Sequence, residues 1–208
     1  MDSINSAIME GLSERGWSVC EHFLPPHDIA ALSEESSELW RKKALREAGI
    51  GSASHTMIRP EIRKDLILWL DPEDLSLPQK KYWQAIDSLR LNLNEAFYLG
   101  LNDFEAHFSA YPPGAFYKKH LDQSPKVRDR LISCVLYLNL PWRESDGGQL
   151  RIYDEEGKHS HDIYPYAGRL VCFQSANIYH EVLPGRRLRF SLTGWLRKSH
   201  PYRWGVIA

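Results

Sequence analysis

A chain of 208 residues, 43% of them apolar, can bury one good core and would have difficulty building two, so a single domain spanning 1–208 is expected. A formal charge of −1 gives no overall electrostatic reason to expect nucleic acid or an anionic membrane as partner, and no apolar run approaches the length of a membrane span. Three scattered cysteines, Cys20, Cys134 and Cys172, exclude a disulfide framework and a structural zinc site, and the amino terminus lacks a cationic, apolar leader; buried thiols in a reducing, cytoplasmic setting are expected.

Taken in chain order, the first hundred residues alternate helix signals with two strand signals. A helix can start near Ser3. A second begins after Pro25-Pro26, with Asp28 as its cap and Ile29, Leu32, Leu39 and Trp40 as an apolar face running through Leu45. A third runs from about Gln79 to Leu99, with Trp83, Ile86, Leu89, Leu93 and Phe97 at helical spacing. Between the last two lies a polar, Pro-marked stretch enclosing the short strand candidate LILWL, its flanks reading as mobile loop. From Phe104 onward eight strand candidates follow one another: EAHFSAY, FYKKHLD, RLISCVLYLNL, QLRIYD, HDIYP, RLVCFQS, YHEVL and RLRFSLTGWLR. Turn chemistry separates them at Ser145 to Gly148, Asp154 to Gly157, Ala167-Gly168 and Pro184-Gly185. The expected class is α+β: helical support over 1–100 and a jelly roll, or double-stranded β-helix, over 101–198.

The chemistry sits in the strand-rich half. His120 and Asp122 are two residues apart in a strand-like segment, so both side chains should share one face, about 6–7 Å apart along the backbone. His180 opens a later strand that a rolled sheet could bring opposite them. Two imidazoles and a carboxylate on one face of a metal leave positions open, the arrangement of non-heme Fe(II) oxygenases; zinc hydrolases use the same donor types, so the triad alone leaves the metal open. In the last strand, parity places Arg189, Ser191, Thr193 and Trp195 on one face and Phe190, Leu192 and Leu196 on the other. An inward arginine in a barrel is costly to bury without an anion, and its fork suits a carboxylate such as one end of a dicarboxylate cosubstrate.

The stretches YPPGAFYKKHLD, CVLYLNLPW, GGQLRIY and HEVLPGRRLRFSLTGW resemble the 2-oxoglutarate oxygenase superfamily, and within it the prolyl 4-hydroxylase branch that includes the animal oxygen-sensing hydroxylases. The resemblance implies that His120, Asp122 and His180 hold Fe(II), and that Arg189 and Tyr137 bind the distal carboxylate of 2-oxoglutarate. It places Tyr111 beside the chelated end, with Thr193 also in the cosubstrate site, although the stretch from Tyr111 to His120 is one residue shorter than in the family. Tyr117 and Trp195 would line the place where a substrate proline docks. IRKDLILWLD is similar to the loop and strand that fold over a bound peptide, and Asp65 with Arg130 matches a family salt-bridge pair joining that loop to the strand after the metal site.

The implied reaction consumes 2-oxoglutarate and O2, releases succinate and CO2, and hydroxylates the substrate, with ascorbate as a reductant. A prolyl residue of a protein is the leading substrate, with elongation factor Tu suggested by bacterial members. A small-molecule hydroxylase is the nearest alternative, and a non-enzymatic cupin-like metal sensor is the alternative of a different class. Nucleic-acid demethylation is disfavoured because the last strand lacks the second spaced arginine and the asparagine of that branch. His159 and His161 read as an exposed loop. His22, His27, His55, His107 and His200 read as solvated or core histidines, and Arg186, Arg187, Arg197, Lys198 and Arg203 as a solvated basic rim.

Overall fold

In the first half of the chain a computed structural model shows α1 (Ser3–Arg15), β1 (Trp17–Cys20), α2 (Pro26–Arg41), β2 (Arg46–Glu47), β3 (Leu66–Trp69) and α3 (Leu77–Phe97). The second half carries β4 (Asp103–Tyr111), β5 (Tyr117–His120), β6 (Arg130–Tyr137), a 3-10 turn at Glu144–Asp146, β7 (Leu150–Tyr153), β8 (Ser160–Ile163), β9 (Leu170–Gln174), β10 (His180–Val182) and β11 (Arg189–Arg197). The structure describes residues 3–50, 57–123, 128–154 and 159–198. His55, His200, Arg203 and the Gly157 end of the corner after Asp154 lie outside them.

All eight strands expected after Phe104 form, and they close as two facing antiparallel sheets. The larger has the order β1-β9-β6-β11-β4-β3-β2 and the smaller β5-β10-β7-β8. Strand parity divides the larger sheet between two cores. Phe104, Ala106, Phe108 and Ala110 of β4, Ile132, Cys134 and Leu136 of β6, and Phe190, Leu192 and Leu196 of β11 meet the helices, packing with Ile8, Leu12, Ile86, Leu89 and Leu93. The alternate residues Tyr111, Val135, Tyr137, Val171 and Phe173 face the smaller sheet and pack on Leu150, Ile152, Ile163 and Val182. The helices therefore act as a brace on one face of a jelly roll, and the functional side chains fall on the other.

The helix limits differ from expectation in two places. α2 ends at Arg41 because Lys42 closes it and Lys43 enters the left-handed region at φ 54°, so Leu45 is buried in the following turn rather than on the helix. Asp28 does not cap it: Pro25 is the N-cap, without a side-chain bond, and Asp28 lies in the first turn, where its charge meets the helix dipole. α3 starts two residues early because Ser76 and Gln79 form a reciprocal capping box. Cys20, Cys134 and Cys172 are all buried, and the Cys134 and Cys172 sulfurs lie 3.8 Å apart as thiols on paired strands.

Candidate metal and dicarboxylate site

The groove between the sheets holds a cavity of about 690 Å³, lined by the pocket-facing residues of β4 and β11, by β5 and by β10. β10 is central to the smaller sheet and pairs His180 directly with His120 of β5. That register brings the two imidazoles to a centroid separation of 4.2 Å. β5 ends at His120, so Asp122 reaches the same point through a bend after the strand, not through strand parity as the spacing suggests. Its Oδ1 lies 3.5 Å from His120 Nε2 and 3.7 Å from His180 Nε2. Among the described residues, these three are the group whose ligand atoms, all within 4.8 Å of one another, could hold a metal ion.

The surroundings fix how the ligand atoms are presented. His120 Nδ1 lies 2.7 Å from the Lys118 carbonyl and His180 Nδ1 3.1 Å from the Ile178 carbonyl. A carbonyl only accepts, so each Nδ1 carries the proton and each Nε2 keeps its lone pair for a cation. Ser133 Oγ donates to Asp122 Oδ2 at 2.6 Å and is itself 2.8 Å from Ser175 Oγ. Burial would raise the Asp122 pKa, yet His180, His120 and the Ser133 hydroxyl hold it well below the usual carboxylate range. Burial, with His120 beside it, pushes His180 down to about 4, so at neutral pH the site offers one carboxylate and a neutral His180 imidazole. Two imidazoles and one carboxylate on one side, with an open cavity on the other, fit Fe(II) of the facial type.

Deeper in the groove, Arg189 is 2% exposed, with its guanidinium carbon 4.9 Å from the ring centroids of both Tyr111 and Tyr137. Among the described residues, Arg189 Nε and the Tyr137 hydroxyl are buried polar atoms without a hydrogen-bond partner. Burial raises the Tyr137 pKa against the opposing pull of Arg189, and raises that of Tyr111, so both phenols stay protonated as donors. A buried arginine with an unpartnered Nε and a buried phenol with an unpartnered hydroxyl fit one carboxylate of a dicarboxylate. Gly148, at φ 71°, makes room for the arginine: a Cβ there would sit 3.3 Å from both Arg189 Cδ and Trp142 Cζ2. Thr193 faces the same cavity with its hydroxyl 3.5 Å from that of Ser191.

At the mouth, Tyr117 stacks on His120 with centroids 3.5 Å apart, and Trp195 lies 6.0 Å from Trp69 and 5.5 Å from His107. Burial pushes Tyr117 up to about 12. The structure corrects the Asp65–Arg130 pair. The Asp65 side chain is fully buried and takes the fork of Arg63, two residues earlier, with Nε donating to Oδ1 at 2.7 Å and Nη2 to Oδ2 at 2.5 Å. Arg130 instead crosses β11, its guanidinium 3.6 Å above the Trp195 ring, and donates to Glu105 of β4 at 2.8 Å. Local reach explains both: an i,i+2 pair on extended chain needs no loop movement, and Glu105 is the register partner of Trp195. The basic rim also divides. Arg197 is bound to Glu105, Asp129 and Asp103 inside the cavity wall, whereas Arg187 reaches Asp146 and the Pro141 carbonyl.

Sequence reasoning missed Ser133, Ser175 and Arg63. Ser133 on β6 and Ser175 just after β9 are single hydroxyls among apolar residues and carried little signal, and Arg63 had none beyond its place in a charged loop.

A profile of the 2OG-Fe(II) oxygenase superfamily matches residues 106–197. The structure is similar to that of a prolyl-4-hydroxylase from Pseudomonas putida, with a TM-score of 0.85 and 42% identity over 94% of this chain and 100% of that one. A prolyl hydroxylase from Trichoplax adhaerens, solved with a hypoxia inducible factor peptide, shares the fold, with a TM-score of 0.82 and 24% identity over 93% of this chain and 89% of that one. By sequence, the chain is 30% identical to the hypoxia-inducible factor prolyl hydroxylase of Caenorhabditis elegans over 90% of its own length, and spans 27% of that longer protein.

Proposed function

The chain belongs to the 2OG-Fe(II) oxygenase superfamily, in its prolyl 4-hydroxylase branch, and from that premise we propose that it hydroxylates a prolyl residue in a protein loop. The observation that carries the reading is the coincidence, in one groove, of the His120, Asp122 and His180 cluster with a buried Arg189 and Tyr137 that lack acceptors. Neither a hydrolytic zinc site nor a structural metal gives a reason for the second feature.

When bound, Fe(II) with 2-oxoglutarate and O2 supplies the redox chemistry, in which oxidative decarboxylation to succinate and CO2 accompanies transfer of one oxygen to substrate carbon. The protein's part is to place and to shield. His120, Asp122 and His180 present three donor atoms to one side of the ion. Arg189 and Tyr137 anchor the far carboxylate of 2-oxoglutarate, and Tyr111 and Thr193 line the space between. Trp195, held from behind by Arg130, forms an apolar wall for a pyrrolidine ring, and Tyr117, both of whose faces are covered by Arg63 and His120, borders the same cavity with its edge. Holding three reactants in line is worth several kcal/mol of barrier, and no side chain needs to act as acid or base.

A protein substrate is supported by Trp69, a large apolar side chain that lines the cavity and is left exposed. No helix among the described residues is long and apolar enough to cross a membrane. The buried thiols agree with a reducing compartment, which we take to be the cytoplasm. Elongation factor Tu is the first substrate to test. Lysate proteins treated with the wild type and with Asp122→Ala would be compared by mass spectrometry. One added oxygen on a proline, present only with the wild type, supports the reading, whereas oxygen on small molecules alone contradicts it.

A further inference from the structure

We propose that Arg63 is a positioning residue for His120, acting through the ring of Tyr117, so that docking of the segment around Arg63 and metal binding strengthen one another. The inference rests on the reading of His120 as a metal ligand. Its basis is a column of three planar groups. The Arg63 guanidinium carbon lies 4.2 Å from the Tyr117 centroid, and the Tyr117 ring lies 3.5 Å from the His120 ring at 17°. Two groups cannot share one aromatic face at these distances, so the tyrosine is sandwiched.

The column is fixed at its far end and along its backbone. Asp65, with a fully buried side chain, accepts both arms of Arg63 and sets the guanidinium plane. The same segment is clipped antiparallel to β5: Lys64 N–H donates to the Phe116 carbonyl at 2.9 Å, and Lys118 N–H donates to the Ile62 carbonyl at 2.9 Å. Lys118 then returns its own carbonyl to His120 Nδ1 at 2.7 Å. Side chain and backbone routes from residues 62–64 thus end on one imidazole.

The electrostatics give the coupling its sign. Asp65 neutralises Arg63, which leaves the electron-rich face of Tyr117 free to favour positive charge on the imidazole at its other side. An imidazole that shares its lone pair with a divalent cation becomes more positive, so the stack tightens when metal binds. Linkage requires the converse, that a docked segment raises metal affinity.

The test uses the full chain with Mn(II) as probe and no substrate. Binding would be read by electron paramagnetic resonance, and backbone exchange at Lys64 and Lys118 with and without the ion. Tyr117→Leu and Arg63→Gln are expected to weaken Mn(II) binding about tenfold, the usual scale for groups that orient a ligand, while Tyr117→Phe, which keeps the stack, stays within about twofold of wild type. Mn(II) should slow exchange of the Lys64 and Lys118 amides in the wild type and in Tyr117→Phe, but not in Tyr117→Leu. If Arg63→Gln fails to fold, the Phe and Leu pair alone decides. Equal Mn(II) affinity in Tyr117→Leu and wild type, with exchange indifferent to the ion, overturns the coupling and leaves the metal site standing. A folded wild type that binds no Mn(II) overturns both.

Discussion

Arg189 and Tyr137 approach one another from adjacent strands of the larger sheet, the guanidinium carbon 4.9 Å from the phenol ring, and each keeps a buried polar atom without an acceptor. A protein that sought only stability would not leave this arrangement in its interior, since an unpaired buried polar group costs about 1–3 kcal/mol and a charged one more. Arg189→Met should therefore raise the thermal midpoint of the protein in the absence of 2-oxoglutarate, as apolar replacement of poorly satisfied buried charge often does. The same variant should lose the stabilisation that 2-oxoglutarate gives the wild type. Arg189→Ala should raise the 2-oxoglutarate KM by about tenfold to a hundredfold, and Tyr137→Phe by less, about threefold to tenfold. Calorimetric melts and succinate assays over a range of 2-oxoglutarate would check both.

Ser133 is the hydroxyl that holds the carboxylate of the site, donating to Asp122 Oδ2 and backed by Ser175. Ser133→Ala frees the carboxylate to rotate and is expected to weaken Fe(II) or Mn(II) binding about tenfold while the thermal midpoint moves by only a few degrees. Metal titration of the variant against wild type decides it; unchanged affinity would mean that the backbone bend after β5 orients Asp122 without the serine.

His107 gives a pH prediction. It is buried between Trp69 and Trp195, bonds Ser109 through Nδ1, and burial, with Arg63 adding, pushes it down from 6.5 to about 4. The unfolded chain takes up this proton at higher pH than the folded one. The stability that a neutral His107 contributes is therefore present above pH 6.5 and is lost as pH falls from 6.5 toward 4, at up to about 1.4 kcal/mol per pH unit. In metal-free protein His180 adds a loss of the same sign over the same window. Denaturant unfolding at pH 7 and pH 5 should show a smaller acid loss in His107→Gln than in wild type, and an equal loss would rule the histidine out.

Gly194 lies in β11 between its two neighbours in the larger sheet, paired with Ala106 of β4 and Cys134 of β6. A Cβ there would lie 2.7 Å from the Glu105 carbonyl oxygen and from the Phe104 ring, and backbone cannot yield as a flexible side chain can. Gly194→Ala should cost about 1–3 kcal/mol, as overpacking does, and should also lower activity because Thr193 and Trp195 flank it. Gly114→Ala, which meets nothing within 4 Å, is the comparison for glycine loss in open space, with its own strain from a φ of 79°. A Gly194→Ala variant as stable as Gly114→Ala would refute the packing argument.

Much of this was legible because strand parity is a strong physical code. The alternation in RLRFSLTGWLR separates Arg189, Ser191, Thr193 and Trp195 from Phe190, Leu192 and Leu196, and the structure sends those two sets to the groove and to the helix core. The meeting of His120 with His180 was less legible, because register between distant strands is set by the whole sheet. Asp122 shows a right convergence for an incomplete reason: parity would have placed it on the strand, and a bend supplies it instead. The Asp65 and Arg130 partners went wrong because sequence spacing does not tell which of several carboxylates an arginine reaches: Asp65 takes Arg63, and Arg130 takes Glu105. Ser133 and Ser175 carried too little pattern to be singled out within apolar strands.

The central claim, that His120, Asp122 and His180 bind Fe(II) in a groove whose Arg189 receives 2-oxoglutarate, is tested most directly by a visible absorption spectrum taken without oxygen. Adding Fe(II) and 2-oxoglutarate to the wild type should give a weak charge-transfer band that is absent from Asp122→Ala and that needs more 2-oxoglutarate to appear in Arg189→Ala. A folded, metal-loaded wild type without the band, or a band undiminished in Asp122→Ala, would contradict it.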